Sequence, residues 1–161
     1  MKTIALLFLI VIGSSGIFAA NKNAANFVII GDQTLYCDNV YIGPTNITIQ
    51  MEGTQSVKVP TNRVNAYARG GCFYEYLPVM NENRETTGWA FMQFIASRDG
   101  KRLYRFCSDC IHYDPISGKI APEIPVYRYY TFKGGEFVSV TNDQNVKEQL
   151  AWFGVKVPRK F

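Results

Sequence analysis

The residues best equipped for chemistry are the four cysteines, Cys37, Cys72, Cys107 and Cys110. Cys107-Ser108-Asp109-Cys110 is a C-x-x-C, a spacing shared by redox pairs, half zinc sites and short disulfides. A redox pair uses a helix N-terminus to lower its thiol pKa. The stretch that follows, Ile111 to Gly118, breaks helix at Pro115 and Gly118. A zinc site would need Cys37 and Cys72 to complete it, and these do not form the second tight pair such sites usually show. In an oxidising compartment an even cysteine count reads as disulfides, and four cysteines allow three connectivities. Cys37–Cys72 with Cys107–Cys110 is favoured, because the close pair closes most easily. His112 is the single histidine, so any Ser-His-acid relay would have to pass through it. There is no Gly-x-Ser-x-Gly elbow and no Gly-rich phosphate loop. The carboxylates Glu52, Glu75 and Asp99 cannot be placed in one cleft from spacing alone, which leaves a glycosidase without support. No catalytic residue, metal ligand or cofactor is therefore assigned.

The N-terminus sets the compartment. Lys2 precedes an unbroken apolar run from Ile4 to Ile12, then Gly13-Ser14-Ser15-Gly16 and Ile17-Phe18-Ala19-Ala20. This is the order of a secretory signal peptide, with cleavage expected after Ala19. The run is too short to span a bilayer, which takes about 20 apolar residues as a helix. Residues 20–26 read as a loose polar leader and residues 27–161 as a single β-rich domain. The expected product is secreted and extracellular, with no membrane span. Asn46-Ile47-Thr48 is then an N-glycosylation sequon beside a turn at Pro44, with Asn46 as the acceptor. The formal charge of +4 is modest, and its longest cationic run is Lys156 to Lys160. That is too weak and too scattered for a nucleic-acid partner.

These residues must be positioned by strands. Short apolar segments recur with turns between them: Phe27–Ile30, Leu35–Cys37, Val40–Ile42, Ile47–Met51, Val57–Val59 and Val64–Tyr67. Cys72–Leu77, Ala90–Ile95 and Arg102–Phe106 continue the pattern, the last two joined by Arg98-Asp99-Gly100, a turn that hairpins favour. Pro78 to Gly88 is a polar excursion. Short β-rich runs with turns every 8–12 residues predict a sandwich or barrel. One helix is expected near the C-terminus, capped by Thr141 with Gln144 three residues later, and stopped at Gly154. Val146, Leu150 and Phe153 would share its apolar face.

Three of the strands share a local pattern: Phe73-Tyr74-Glu75-Tyr76, Leu103-Tyr104-Arg105-Phe106 and Val126-Tyr127-Arg128-Tyr129. Alternation puts two aromatics of each on one face and the charged residue on the other. The aromatic face reads first as core, and secondarily as a platform for sugar rings. The stretch Glu123–Phe161 adds Pro125-Val126-Tyr127-Arg128-Tyr129-Tyr130, then Gly134-Gly135-Glu136-Phe137-Val138-Ser139, then Asn145-Val146, Leu150 and Gly154. It resembles an uncharacterised secreted repeat that runs Pro-Val-Tyr-Arg-Leu-Tyr, Gly-Asp-His-Phe-Tyr-Thr-Thr, then an Ala/Leu helix and Gly-Trp. The family's His is Glu136 here, and its Thr-Thr is Ser139-Val140. The resemblance covers about a quarter of the chain. It implies a β-trefoil-like, lectin-like domain, with lobes near 27–71, 72–122 and 123–161. The expected fold is thus mainly β, a β-trefoil-like unit or small β-barrel with one short C-terminal helix. The expected function is non-enzymatic binding of an extracellular ligand, with a glycan as the first candidate. Trp89, read as a loop tryptophan beside Gly88, is the leading candidate contact, and Arg128 and Tyr130 of the resembling stretch join it. The rival readings are a small-molecule carrier of lipocalin-like barrel type and a secreted effector or hydrolase.

Overall fold

The computed structural model describes residues 25–51, 53, 55–107, 127–141 and 145–156, with the backbone of 112–113 and 120–121. The signal segment 1–19, Cys110, Gln144, the side chain of His112 and most of Ile111–Pro125 lie outside the described residues. In chain order the first strands are β1 (Asn26–Ile30), β2 (Gln33–Cys37), β3 (Asn39–Ile42), β4 (Asn46–Gln50), β5 (Val57–Pro60) and β6 (Ala66–Arg69). They are followed by β7 (Cys72–Met80), β8 (Thr86–Arg98), β9 (Lys101–Cys107), β10 (His112–Tyr113) and β11 (Ile120–Ala121). The chain then forms β12 (Tyr127–Lys133), β13 (Glu136–Thr141) and the α-helix α1 (Val146–Trp152), and a 3-10 turn at Thr61–Arg63 precedes β6.

Eight strands make one antiparallel sheet in the order β13-β12-β9-β8-β7-β6-β1-β2. A second sheet, β3-β4-β5, is an excursion between β2 and β6, and β10 pairs with β11 as a hairpin between β9 and β12. The β8–β9 turn forms where expected. Asp99 and Gly100 both have positive φ, 50° and 71°, which the hairpin requires and which Asp and Gly tolerate best.

Side-chain alternation sorts the core onto both faces of the large sheet. On one face Val28, Tyr67 and Tyr74 pack against Val40, Ile47 and Ile49 of the three-stranded sheet. The alternation read from Ile47 and Ile49 is the reason: both are fully buried, while Asn46 and Gln50 are exposed. Farther along the same face, Leu103 and Tyr129 receive Val146, Leu150 and Phe153 of α1. The helix face is as expected, but its start is not. Thr141 is the last residue of β13, paired with Tyr129, so its backbone is extended and cannot cap α1. Asn145 occupies the N-cap and makes no side-chain capping bond. Gly154, at φ 73°, ends the helix.

The opposite face is filled by Met92, Tyr104, Tyr130 and Phe132, with Leu77, Val79 and Phe94 around them. The sheet curls towards this face. Tyr130 lies three strands from Met80, yet its hydroxyl donates to the Met80 carbonyl at 3.4 Å. The curl does not complete a barrel: β13 and β2 remain the two edges. The closed-barrel expectation is corrected on that ground. The three expected lobes also fold unlike one another. The first gives a hairpin, a separate sheet and the strand β6, the second three sheet strands with the β10–β11 hairpin, and the third a hairpin and a helix.

Two further expectations change. Asn26, placed in the leader, belongs to β1 and ties its neighbours together. Its Nδ2 donates to the Asp38 carbonyl at 2.5 Å, and its Oδ1 accepts from the Gly70 N–H at 3.1 Å. The Cys37–Cys72 bridge does not form, and both cysteines are free. Cys37 pairs with Asn26, and Arg69 with Cys72, so β1 and β6 both stand between the two thiols. Three strand spacings are about 14 Å, whereas a disulfide needs Cα atoms about 4.4–6.8 Å apart. Cys107 is disulfide-bonded.

A candidate ligand-binding face

Between the three-stranded sheet and α1, the large sheet carries a strip of partly exposed side chains. Register builds it. Tyr76 pairs with Phe91, Pro78 with Trp89, Tyr74 with Gln93, and Gln93 with Arg105, which in turn pairs with Tyr129. Antiparallel partners share a face, so Tyr76, Trp89, Phe91, Gln93, Arg105 and Tyr127 all project on the side that carries the helix.

Trp89 is not in a loop. The polar excursion is shorter than its composition suggests, because β7 runs on to Met80 and β8 starts at Thr86. Trp89 therefore stands on a strand, 58% exposed, with its ring stacked on Tyr76 at 5.7 Å and 28°. Tyr76 in turn leans on Phe91 at 5.0 Å, and Phe91 on Tyr67 at 5.0 Å. Tyr67 stacks on Tyr74 at 4.6 Å and 11°. The exposed indole is thus the outer end of an aromatic chain anchored in the core.

The polar centre of the strip is Arg105. Its guanidinium donates to Gln93 Oε1 at 2.5 Å and lies over the Tyr127 ring, 4.7 Å from its centroid. It also hydrogen-bonds the Tyr129 hydroxyl. Burial raises the Tyr129 pKa, and the Arg105 charge opposes that rise. Tyr74 is likewise raised, first by burial and then by Cys72, against the charges of Arg69 and Arg105.

Arg128 and Tyr130 are on the other face. Tyr130 is fully buried, and burial raises its pKa against the nearby Arg128 guanidinium. Arg128 lines an open cleft of about 390 Å³ with Met80, Asn81, Glu82, Val140 and Thr141, under the β7–β8 turn. The three predicted contacts therefore do not form one site. Trp89 is separated from Arg128 and Tyr130 by the thickness of the sheet.

The repeated strand pattern also divides between the faces. Tyr74 and Tyr76, and Tyr127 and Tyr129, project on the helix side, while Tyr104 and Phe106 project on the other. Glu75 and Arg105, expected on one face, are consequently apart. Glu75 accepts from Arg102 Nη1 at 3.0 Å, pairs with Arg102 Nη2 at 2.7 Å, and accepts from the Tyr104 hydroxyl. Burial, and then this bond to Glu75, hold the Tyr104 pKa well above its usual range. The Glu75 carboxylate is committed to these partners. Among the described residues no group of three or more His, Cys, Asp or Glu could hold a metal ion, and no helix is long and apolar enough to cross a membrane.

Asn46 is exposed at the start of β4, its Nδ2 donating to Thr45 Oγ1 at 3.0 Å. Sequence reasoning missed Tyr76, Gln93, Arg105 and Tyr127 as a group. Arg105 sits inside the repeated pattern, but its face depends on a register that spacing does not carry. Comparison of the chain with family models, curated proteins and solved structures returns no match.

Proposed function

We propose that the protein is a secreted, non-catalytic binding domain for extracellular carbohydrate, which it engages through the strip centred on Trp89. The observation that carries this reading is the Trp89–Tyr76 stack. A large indole is left mostly exposed, yet it is held rigidly by a ring on the neighbouring strand. The indole does not stand singly but continues into Tyr76 and Phe91, and a contiguous exposed apolar patch marks an interaction surface. A flat ring on a strand presents a stacking surface for the C–H face of a sugar, and it loses little conformational freedom on binding. Farther along the same face, Gln93, four residues from Trp89 on β8, and its cross-strand partner Arg105 offer planar polar groups suited to hydroxyls.

Secretion is supported by the signal-like order of residues 1–19, and a glycan at Asn46 would be compatible with that route. The likeness of Glu123–Phe161 to the secreted lectin-like repeat supports a sugar ligand as well. The reading rests on the aromatic strip and not on three-fold symmetry. A lipocalin-like carrier would need an enclosed interior, and here the sheet stays open while Tyr130 and Phe132 fill its curled face. On a glycan array Trp89→Ala should abolish binding and leave the circular dichroism spectrum unchanged. Retained binding by a folded Trp89→Ala protein would sink the assignment of this surface.

A further inference from the structure

Arg105 differs from the other partly buried arginine of the sheet in what it faces. Arg102 is neutralised by the Glu75 carboxylate at 2.7 Å. Among the described residues Arg105 meets neutral groups: the Gln93 amide, the Tyr127 ring and the Tyr129 hydroxyl. Among the described residues no carboxylate pairs with it. The groups bearing on Tyr74 and Tyr129 agree: the cations are Arg69 and Arg105, the opposing contributions come from the Cys72 thiol and the Tyr127 phenol, and no carboxylate is among them. Arg69 is engaged elsewhere, donating to the Val40 carbonyl at 3.1 Å. A half-buried cation without a counter-ion is unfavourable, and an anion supplied by a ligand removes that cost. A guanidinium has five donors in a fixed fork, of which Gln93 takes one on Nη2 and the Tyr129 hydroxyl another. The remaining donors match the two oxygens of a carboxylate.

We propose that Arg105 makes the strip selective for acidic saccharides, with a ligand carboxylate docking on its guanidinium while another ring of the same saccharide stacks on Trp89, four residues along β8 from the Gln93 that pairs with Arg105. This rests on the carbohydrate reading above and narrows its ligand class to sugars bearing a carboxylate, such as uronates or sialates. Neutral Gln93 is part of the selectivity. It orients the guanidinium through Oε1 without cancelling its charge, which a glutamate at the same position would do.

The test compares each acidic probe with its neutral counterpart: oligogalacturonate with its methyl ester, and sialyllactose with lactose. Binding is measured by calorimetry on the full mature chain. At least one acidic member should bind ten-fold or more tightly than its counterpart, and the difference should shrink as salt rises. Gln93→Glu is nearly isosteric and should keep the fold. It should lower affinity for the acidic probe at least ten-fold and remove most of the preference for it over the neutral member. Arg105→Lys should retain part of the preference and Arg105→Gln should lose it, while Arg63→Gln removes an exposed charge elsewhere and should change nothing. Equal binding of acidic and neutral members overturns the charge selectivity and leaves the carbohydrate reading standing. A folded Gln93→Glu protein with wild-type preference, or an equal loss in Arg63→Gln, overturns the role of Arg105. No binding to any probe or to a glycan array overturns both readings together.

Discussion

Glu75 shows how one charged residue is made tolerable inside an aromatic face. It lies among Leu77, Met92 and Phe94 on the curled side of the sheet, and its carboxylate serves Arg102 and Tyr104 at once. Arg102 in turn lies over the rings of Phe94 and Tyr104, 5.1 and 5.3 Å from their centroids. Removing the carboxylate would strand a guanidinium and a largely buried hydroxyl. Because the Arg102 side chain is 43% exposed, water recovers part of the loss. Glu75→Ala should therefore destabilise by about 1–3 kcal/mol, less than breaking a fully buried pair. Glu75→Gln should cost less, since it still accepts from Tyr104. Urea unfolding of both variants checks the order, and equal losses would show that the charge, removed in both, carries the whole effect and the bond to Tyr104 none. Trp89 is the converse case, a large apolar residue that the fold exposes. Its substitution should leave stability nearly intact, which is what allows binding to be read separately.

Among the elements, α1 depends most on its surroundings. Seven residues without a side-chain cap form too few turns to be stable alone in water. The helix holds because Val146 and Leu150 are buried against Leu103 and Tyr129. Gln149 adds one tie, its Nε2 donating to Thr131 Oγ1 at 2.6 Å. At the far end Arg98 donates to the Trp152 carbonyl, and Arg98 and Lys101 both lie about 5 Å from the Trp152 ring centroid. Leu150→Ala should cost about 2–4 kcal/mol, the range for deleting a buried leucine. It should also release the helix before the sheet. Hydrogen exchange should show early loss of protection at the Gln149 and Phe153 amides, whose bonds lie within the helix turn. Loss of protection in β8 and β9 at the same rate would mean that helix and sheet open as one unit.

On the scale of the whole molecule, the sheet order decides what the cysteines can do. Cys37 and Cys72 lie on one face and nearly in one row, but β1 and β6 stand between them. Neither side chain is fully buried, and burial raises the Cys37 pKa, so its reactivity is suppressed in the folded state. Alkylation in denaturant without reductant, followed by peptide mass mapping, should find both Cys37 and Cys72 modified. A Cys37–Cys72 cross-linked peptide would contradict the sheet order itself, because no small backbone shift brings those strands together. The same order divides the aromatic residues between a curled, filled face and an open strip.

The chain carries 10 Tyr and 11 Phe, and their alternation with β-branched residues was enough to predict strands, the Asp99-Gly100 turn and the apolar face of α1. These are local properties, fixed by φ/ψ preference and side-chain period within a few residues. The sequon at Asn46 and the signal-like run at Ile4–Ile12 were legible for the same reason. Trp89 was identified as a candidate but placed in a loop, because the polar residues 81–87 hid how far β7 and β8 extend. What the tertiary structure alone decided was register. A strand has two faces, and which one meets a partner depends on pairing between residues far apart in the chain. Only that pairing separates Arg105 from Glu75, brings Gln93 to Arg105, divides Trp89 from Arg128 and Tyr130, and keeps Cys37 from Cys72. Each outcome follows from contacts across strands, to which a linear pattern of residue types is blind.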